Sequence, residues 1–324
     1  MRNVARERVR IKPTIPVLNF RSYIDTHVLM LATAQLMTTE KNRLREAYGG
    51  HPHMKANHRL GYTMITVQCP QPDLLYELSD LHTKYDGAIS RADLAFEAEH
   101  DPNMSVDEQM AWIKAHLIMK RRPAGPILEI KNKEPDQNGF YFIPHAHTSD
   151  APRDVCGYGD RASKLDQTSN RAARIEERLR GKEGHGFETI PKMMQCVPKT
   201  IFNRNLKFVR IDMQEFERKL FKDTAKGKTL EEAQRAITHI KRSWTLPEYQ
   251  FQYAQRVHDR YPRMEMIEDA GLVTLPTTLT WGAKRRSGQS STYQSVTNDI
   301  CISSSLKHAT RRKRITLSEE DWHA

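Results

Sequence analysis

The stretch Ala88-Ile-Ser-Arg91-Ala-Asp93-Leu-Ala-Phe-Glu97-Ala98 alternates with a period of two. On an extended strand, side chains two residues apart share a face. Arg91, Asp93, Ala95 and Glu97 therefore fall on one side, and Ala92, Leu94 and Phe96 on the other. One side suits a core and the other carries charge. Two carboxylates four residues apart on one strand face are separated by about 13 Å. The pattern fits an ordinary amphipathic edge strand with its charges in water. Alternatively one acid holds a metal, or both do if the strand bulges.

Other segments give it neighbours. Tyr23-Ile-Asp-Thr-His-Val-Leu-Met-Leu31 is rich in apolar and β-branched residues and predicts a strand, as does the alternating Gly61-Tyr-Thr-Met-Ile-Thr-Val-Gln68. Residues 127–133 and 139–143 predict two strands around a polar turn. Residues 198–212 contain Asn203-Arg-Asn-Leu-Lys-Phe-Val-Arg-Ile211, part basic loop and part strand. Residues 171–181 conflict internally. Arg, Ala, Glu and Leu favour helix, and Gly181 suits a helix C-terminus.

Helices are predicted over 35–48, with Leu36, Leu44 and Ala47 toward a core and Gly49-Gly50 as the stop, and over 73–82 behind Pro70 and Pro72. Ser105-Val-Asp-Glu108 is a capping box. It opens a helix with Val106, Met110, Ile113 and Leu117 on one face, closed by Lys120, Arg121 and Arg122 at the negative end of its dipole. Residues 213–223 predict a further helix. Thr229-Leu-Glu-Glu232 is a second capping box, before a stripe of Leu230, Ala233, Ile237, Ile240 and Trp244 that reads as core, with Lys241 and Arg242 opposite.

The chain has 324 residues, enough for one large domain or two modest ones. Its 51 Lys and Arg against 40 acids give a net charge of +11, which favours a polyanionic partner, most often nucleic acid. Cys69, Cys156, Cys196 and Cys301 lie far apart, which argues against a zinc ribbon and fits a reducing compartment. No signal-peptide pattern follows the basic N-terminus, and the apolar run Val28 to Ala34 is too short to span a bilayer. The chain is expected to be soluble and intracellular, with no membrane partner.

One stretch carries the chemistry: Asp154-Val-Cys-Gly-Tyr158-Gly-Asp-Arg161-Ala-Ser-Lys164. Glycines on both sides of Tyr158 let a large partner approach. A phenol beside two cations, Arg161 and Lys164, is a candidate nucleophile toward a phosphodiester. His145-Ala-His147 has metal-ligand spacing and is an alternative metal pair. His51, His53 and His58, on a loop with Pro52, read as solvated. Lys284-Arg285-Arg286 and Arg311-Arg312-Lys313-Arg314 would pair with phosphates without sequence preference, on a Ser- and Thr-rich tail.

Three segments in order resemble one family, the replication initiation proteins of filamentous phages (the gene II/X type) and related plasmid rolling-circle initiators. They are Tyr23-Ile-Asp-Thr-His-Val-Leu; Leu75-Tyr-Glu-Leu-Ser-Asp with Ile89-Ser-Arg-Ala-Asp-Leu-Ala-Phe; and Gly157-Tyr158 with Lys164 and then Arg174-Ile-Glu-Glu-Arg-Leu. The likeness spans roughly residues 21–220. It implies DNA transesterification, in which Tyr158 attacks a phosphodiester at an origin, keeps the 5′ phosphate and frees a 3′ hydroxyl. It implies Mg²⁺ or Mn²⁺ held by Asp93, Glu97 and Glu176, with Arg161 and Lys164 stabilising charge and Arg91 on DNA. It also implies origin DNA, host helicase and polymerase as partners in a bacterial cytoplasm, and it tips residues 171–181 toward strand.

The expected fold is α+β, an antiparallel sheet with helices on one face and the site on the other, like a rolling-circle nickase, with a helical, basic C-terminal part. The expected organisation is a basic arm (1–20), a nicking–joining domain (21–220), a helical accessory region (221–282) and a basic tail (283–324). The alternative function is a non-catalytic DNA-binding replication or transcription regulator.

Overall fold

The structure, a computed structural model, describes residues 17–120, 127–131, 138–142, 152–166, 170–209, 218, 221–222, 225–244 and 271–282. The basic arm before residue 17, His145 and His147, nearly all of the helix expected over 213–223, and the clusters at 284–286 and 311–314 lie outside the described residues.

The fold is α+β and built on a large antiparallel sheet. Its strands are β1 (Leu18–Leu31), β2 (His53–Asn57), β3 (Tyr62–Gln68), β4 (Ala88–Ala98), β6 (Ile127–Lys131), β7 (Asn138–Phe142), β8 (Arg153–Tyr158) and β9 (Arg174–Arg180), in spatial order β2-β3-β1-β4-β9-β8-β7-β6. A short strand, β11 (Val273–Thr274), runs parallel to the start of β1, pairing Leu18 with Val273. A separate two-stranded sheet joins β5 (Leu117–Met119) to β10 (Leu206–Phe208).

The helices are α1 (Thr38–Tyr48), α2 (Pro72–Lys84), α3 (Val106–His116), α4 (Gly181–His185), α5 (Ile190–Met194), α6 (Pro198–Asn205) and α7 (Leu230–Trp244). The stop signals work as their chemistry dictates. Gly49 ends α1 in the left-handed conformation at φ 69°. Pro72 sits in the first turn of α2, where its missing N–H costs nothing. Ser105 caps α3, its hydroxyl accepting from the Glu108 amide while Glu108 accepts from the Ser105 amide. The Thr229–Glu232 box closes the same way.

One sheet face forms the core. Ile24, Leu29, Leu94, Phe96, Ile175 and Leu179 belong to a buried cluster shared with Leu74, Leu75, Leu78 and Leu81 of α2 and with Ile201 and Phe202 of α6. The four leucines of α2 are each at most 1% exposed, and burying each contributes roughly 2 kcal/mol. Phe96 meets Phe202 edge-on at 5.0 Å, and Phe202 stacks on Phe208 at 5.4 Å, which ties the sheet to α6 and β10.

Three expectations need correction. The strand at 88–98 is not an edge strand with solvated charges: β4 lies between β1 and β9, and Asp93 and Glu97 are fully buried. The helix opened by Ser105 stops at His116 rather than at the basic residues. Leu117, Ile118 and Met119 are all buried, and their backbone is taken up by pairing with Phe208, Lys207 and Leu206. Leu230, expected in the core, is 62% exposed, whereas Ala233 of the same stripe is fully buried. Residues 171–181 resolve as strand from Arg174, because β4 and β8 offer that segment hydrogen bonds on both sides. Such tertiary pairing outweighs a helix preference of a few tenths of a kcal/mol per residue.

Candidate active site

The face opposite the core is polar, and its side chains are set by strand register. Directly opposed residues run in rows across β1, β4, β9 and β8. One row is Thr26, Asp93, Arg178 and Asp154; the next is Tyr23, Ala95, Glu176 and Cys156; the third is Arg21, Glu97, Arg174 and Tyr158. Acids and arginines alternate across strands as well as along them. A β-bulge between Ile24 and Thr26 leaves Asp25 outside the β1–β4 pairing and adds its carboxylate to this face.

The rows close into a network. Arg91 donates from Nε to Asp93 at 2.7 Å, and Arg178 to Glu176 at 2.9 Å. Arg180 holds Asp154 at 2.7 Å. Arg174, wholly buried, donates to Glu97 at 2.5 Å, with Tyr23 and Tyr158 on either side, their ring centres 5.6 and 5.3 Å from its guanidinium carbon. Tyr158 donates its phenolic hydrogen to Glu176 at 2.8 Å. Arg161 lies over the Tyr158 ring at 4.5 Å.

Residues 159–166 fold over this network as a strap. Lys164 donates to Asp25 at 2.6 Å, Ser163 to Glu97 at 2.6 Å, and Arg21 clasps Asp166 with bonds of 2.6 and 2.7 Å. Gly159 must stay small, because a Cβ there would come 2.8 Å from Met110 and 3.0 Å from Val106.

Enclosure sets the protonation states. Burial pushes the Tyr158 phenol well above its ordinary range, and the Glu176 charge adds to this. Desolvation also raises Asp93, to about 7, against the pull of Arg91. For Glu176 desolvation acts upward too, but Arg178 and then Lys164 outweigh it and hold the group far below the usual carboxylate range. Two neighbouring acids thus have their titrations driven apart, a pattern that separates an acid from a base.

The structure therefore brings together Tyr158, Arg161, Lys164, Arg91, Asp93, Glu97 and Glu176. It adds Asp25, Arg174, Arg178 and Asp154, which sequence reasoning did not select. The signal for Asp25 was an acid inside an apolar strand. For Arg174 and Arg178 it was the alternation Arg174, Glu176, Arg178, Arg180.

The three acids expected to share Mg²⁺ or Mn²⁺ do not fit that role as arranged. Asp93 faces Arg91, Glu97 is taken by Arg174, Arg21 and Ser163, and Glu176 by Arg178 and Tyr158. Among the described residues no three His, Cys, Asp or Glu side chains are gathered to hold a metal ion. Nor is any described helix long and apolar enough to cross a membrane.

No protein-family model and no curated protein matches the chain. Among solved structures it is similar to the rolling circle replication initiator protein from Geobacillus stearothermophilus, with 11% identity and a TM-score of 0.39, over 60% of this chain and 88% of that one.

Proposed function

We propose that this chain is a rolling-circle replication initiator, of the kind found in filamentous phages and plasmids, that nicks and rejoins one DNA strand at an origin through Tyr158. The observation that carries this reading is the 2.8 Å hydrogen bond from the Tyr158 hydroxyl to Glu176, on a sheet face lined by arginines. In the enclosed state the phenol is neutral. It becomes a nucleophile when the strap lifts and a DNA phosphate draws Arg161, Arg174 and Arg178 to its oxygens. Freed of Arg178, Glu176 regains basicity and takes the phenolic proton. The phenolate oxygen forms a bond to phosphorus as the bond from phosphorus to the 3′ oxygen breaks. Asp93, titrating near neutrality, returns a proton to that leaving oxygen. The products are a 5′ phosphotyrosine and a 3′ hydroxyl, and reversal rejoins the strand. The arginines stabilise the charge that develops on the phosphate. Host helicase and polymerase would use the freed end.

The test is incubation with supercoiled origin plasmid, followed by denaturing electrophoresis. A covalent adduct that disappears in Tyr158→Phe supports the reading. An adduct that persists in that variant removes the role of Tyr158, and no adduct under any divalent-ion condition removes the proposal.

A second reading, DNA binding without cleavage, is favoured by the burial of Tyr158, which is 7% exposed. It predicts origin binding that is indifferent to Tyr158→Phe and Glu176→Gln, with no adduct.

A further inference from the structure

The start of β1 has a long strand on one side only. β4 pairs with Phe20 through Ile24, whereas β3 begins its pairing at Thr26. An edge left open in this way presents unpaired main-chain donors and acceptors. Residues 271–282 fill it. The Leu18 amide donates to the Leu272 carbonyl at 2.8 Å, β11 pairs with Leu18 and Asn19, and the Thr280 amide donates to the Ser22 carbonyl at 2.6 Å. Between these points the Lys199 amide of α6 donates to the Pro276 carbonyl at 3.0 Å. Leu272, Leu275, Leu279 and Trp281 pack against the core cluster.

This arm ends on the strap. A Cβ at Gly282 would come 3.3 Å from the Lys164 carbonyl oxygen and 3.8 Å from the Leu165 Cα, so main chain meets main chain there. Consecutive residues of β1 grip both segments: Arg21 clasps Asp166, Ser22 holds Thr280, and Tyr23 packs with Leu165. The two segments differ in enclosure. Ser163 and Leu165 of the strap are buried, whereas every residue of the arm is half-buried or exposed. An element with few buried side chains opens locally at lower free energy than one packed inside. The arm is the outer and weaker of two layers.

We infer that residues 271–282 are a latch. While they lie along β1 they hold the strap shut, and their release precedes exposure of Tyr158. Gly282 sits against the Lys164 carbonyl and the Leu165 Cα, so the strap main chain has no room to pass it until the arm withdraws. Anything that favours the open arm therefore favours the lifted strap, and the reverse holds by linkage. The inference rests on the nicking reading for the purpose of the latch; the coupling of arm to strap does not require it.

The test uses the full chain and two variants that free the arm by different routes. Thr280→Pro deletes the amide that reaches Ser22, and Gly282→Val drives methyl groups against the Lys164 carbonyl. Thr280→Ala keeps the amide and is the control. Hydrogen exchange read by mass spectrometry compares the peptide over 159–166 with that over 92–98 in β4. Both arm variants should exchange about tenfold faster over 159–166, the worth of one lost hydrogen bond, with 92–98 unchanged and Thr280→Ala like the unaltered chain. Adduct formation with supercoiled origin plasmid should rise several-fold, a gain that loss of a merely structural contact does not give. Unchanged exchange over 159–166 in both variants overturns the inference, as does acceleration in both that extends equally to 92–98. Faster exchange with slower adduct formation also overturns it, since the arm would then complete the site instead of closing it. Faster exchange over 159–166 when no chain, altered or not, forms an adduct sustains the latch and removes the nicking reading.

Discussion

Lys164 and Asp25 are 139 residues apart in sequence, yet the Lys164 ammonium lies 2.6 Å from the Asp25 carboxylate. This bond pins the strap that covers Tyr158 to the bulge in β1. Lys164 keeps 25% of its side-chain surface, so solvent screens part of the attraction. Lys164→Met should destabilise the fold by about 1–2 kcal/mol, chiefly by leaving the buried Asp25 carboxylate without its cation and with only the Thr26 hydroxyl donating to it at 3.2 Å. It should also expose the phenols beneath: nitration of Tyr158 by tetranitromethane should rise well above that of the unaltered chain. Unchanged nitration and unchanged denaturant midpoint would show that the strap is held by Arg21, Ser163 and Asp166 alone.

The strands were legible wherever a period of two coincided with β-branched or apolar residues, as at Ala88–Ala98 and Tyr62–Gln68. That pattern also gave the correct face for Arg91, Asp93 and Glu97. It could not tell that the charged face is covered. Covering depends on the strap, whose contacts with Asp25, Glu97 and Arg21 join residues more than sixty positions apart. An acid that meets water and one that meets an arginine two strands away look identical in sequence. The Arg174–Arg180 strand was obscured for a related reason. Its arginines and glutamates are good helix formers, and only pairing with β4 and β8 makes extended backbone cheaper. Glu177 hid the alternation further by placing an acid on the apolar face.

His27 provides a test at acid pH. It is fully buried on the core face between Val67 and Ala92, and neither ring nitrogen has a hydrogen-bond partner among the described residues. Burial, with smaller contributions from His185 and His82, lowers its pKa to about 3 from 6.5. A folded-state value below the unfolded one means that stability is present above pH 6.5 and is lost as pH falls from there toward 3. His27→Leu should remove that part of the acid arm and, by deleting two unsatisfied polar atoms, gain about 1–3 kcal/mol at neutral pH. Denaturant unfolding of both chains at pH 7, 5 and 4 measures it; parallel losses in the two would exclude His27 as the titrating group.

Glu177 acts in the opposite direction. Its carboxylate accepts a hydrogen bond from Asn205 at 2.8 Å, while its other oxygen is buried with no partner among the described residues. Burial raises it to about 8, against the opposing pull of the Asn205 hydrogen bond and Arg153. With the folded value above the unfolded 4.5, stability is fully present below pH 4.5 and declines as pH rises to about 8. Asp93, at about 7, titrates in an overlapping window with the same sign, so a substitution is needed to separate them. Glu177→Gln should be the more stable chain at pH 9 by a few kcal/mol and nearly equal at pH 4. A pH-stability curve that keeps its full alkaline slope in the Gln variant would assign the slope to Asp93 instead.

Gly184 tests how tightly α4 is docked. A Cβ added there would lie 2.2 Å from the carbonyl oxygen of Pro152 and 3.2 Å from the Leu179 carbonyl carbon, both main-chain atoms. The Pro152 oxygen cannot retreat easily, since it accepts from the Arg180 amide at 2.8 Å, and the Gly184 carbonyl accepts from Arg153 at 3.0 Å. The two segments are therefore joined on both sides of the clash. Relief requires shifting α4, which would break the Arg153 bond and disturb Arg180, the residue that holds Asp154. Gly184→Ala should cost about 2–4 kcal/mol, in the range of overpacked sites with lost hydrogen bonds. Gly181→Ala makes the control: a Cβ at that position would meet nothing within 4 Å, and its φ of +58° alone should cost about 1 kcal/mol. A Gly184 variant no less stable than the Gly181 variant would mean that α4 moves freely against β8.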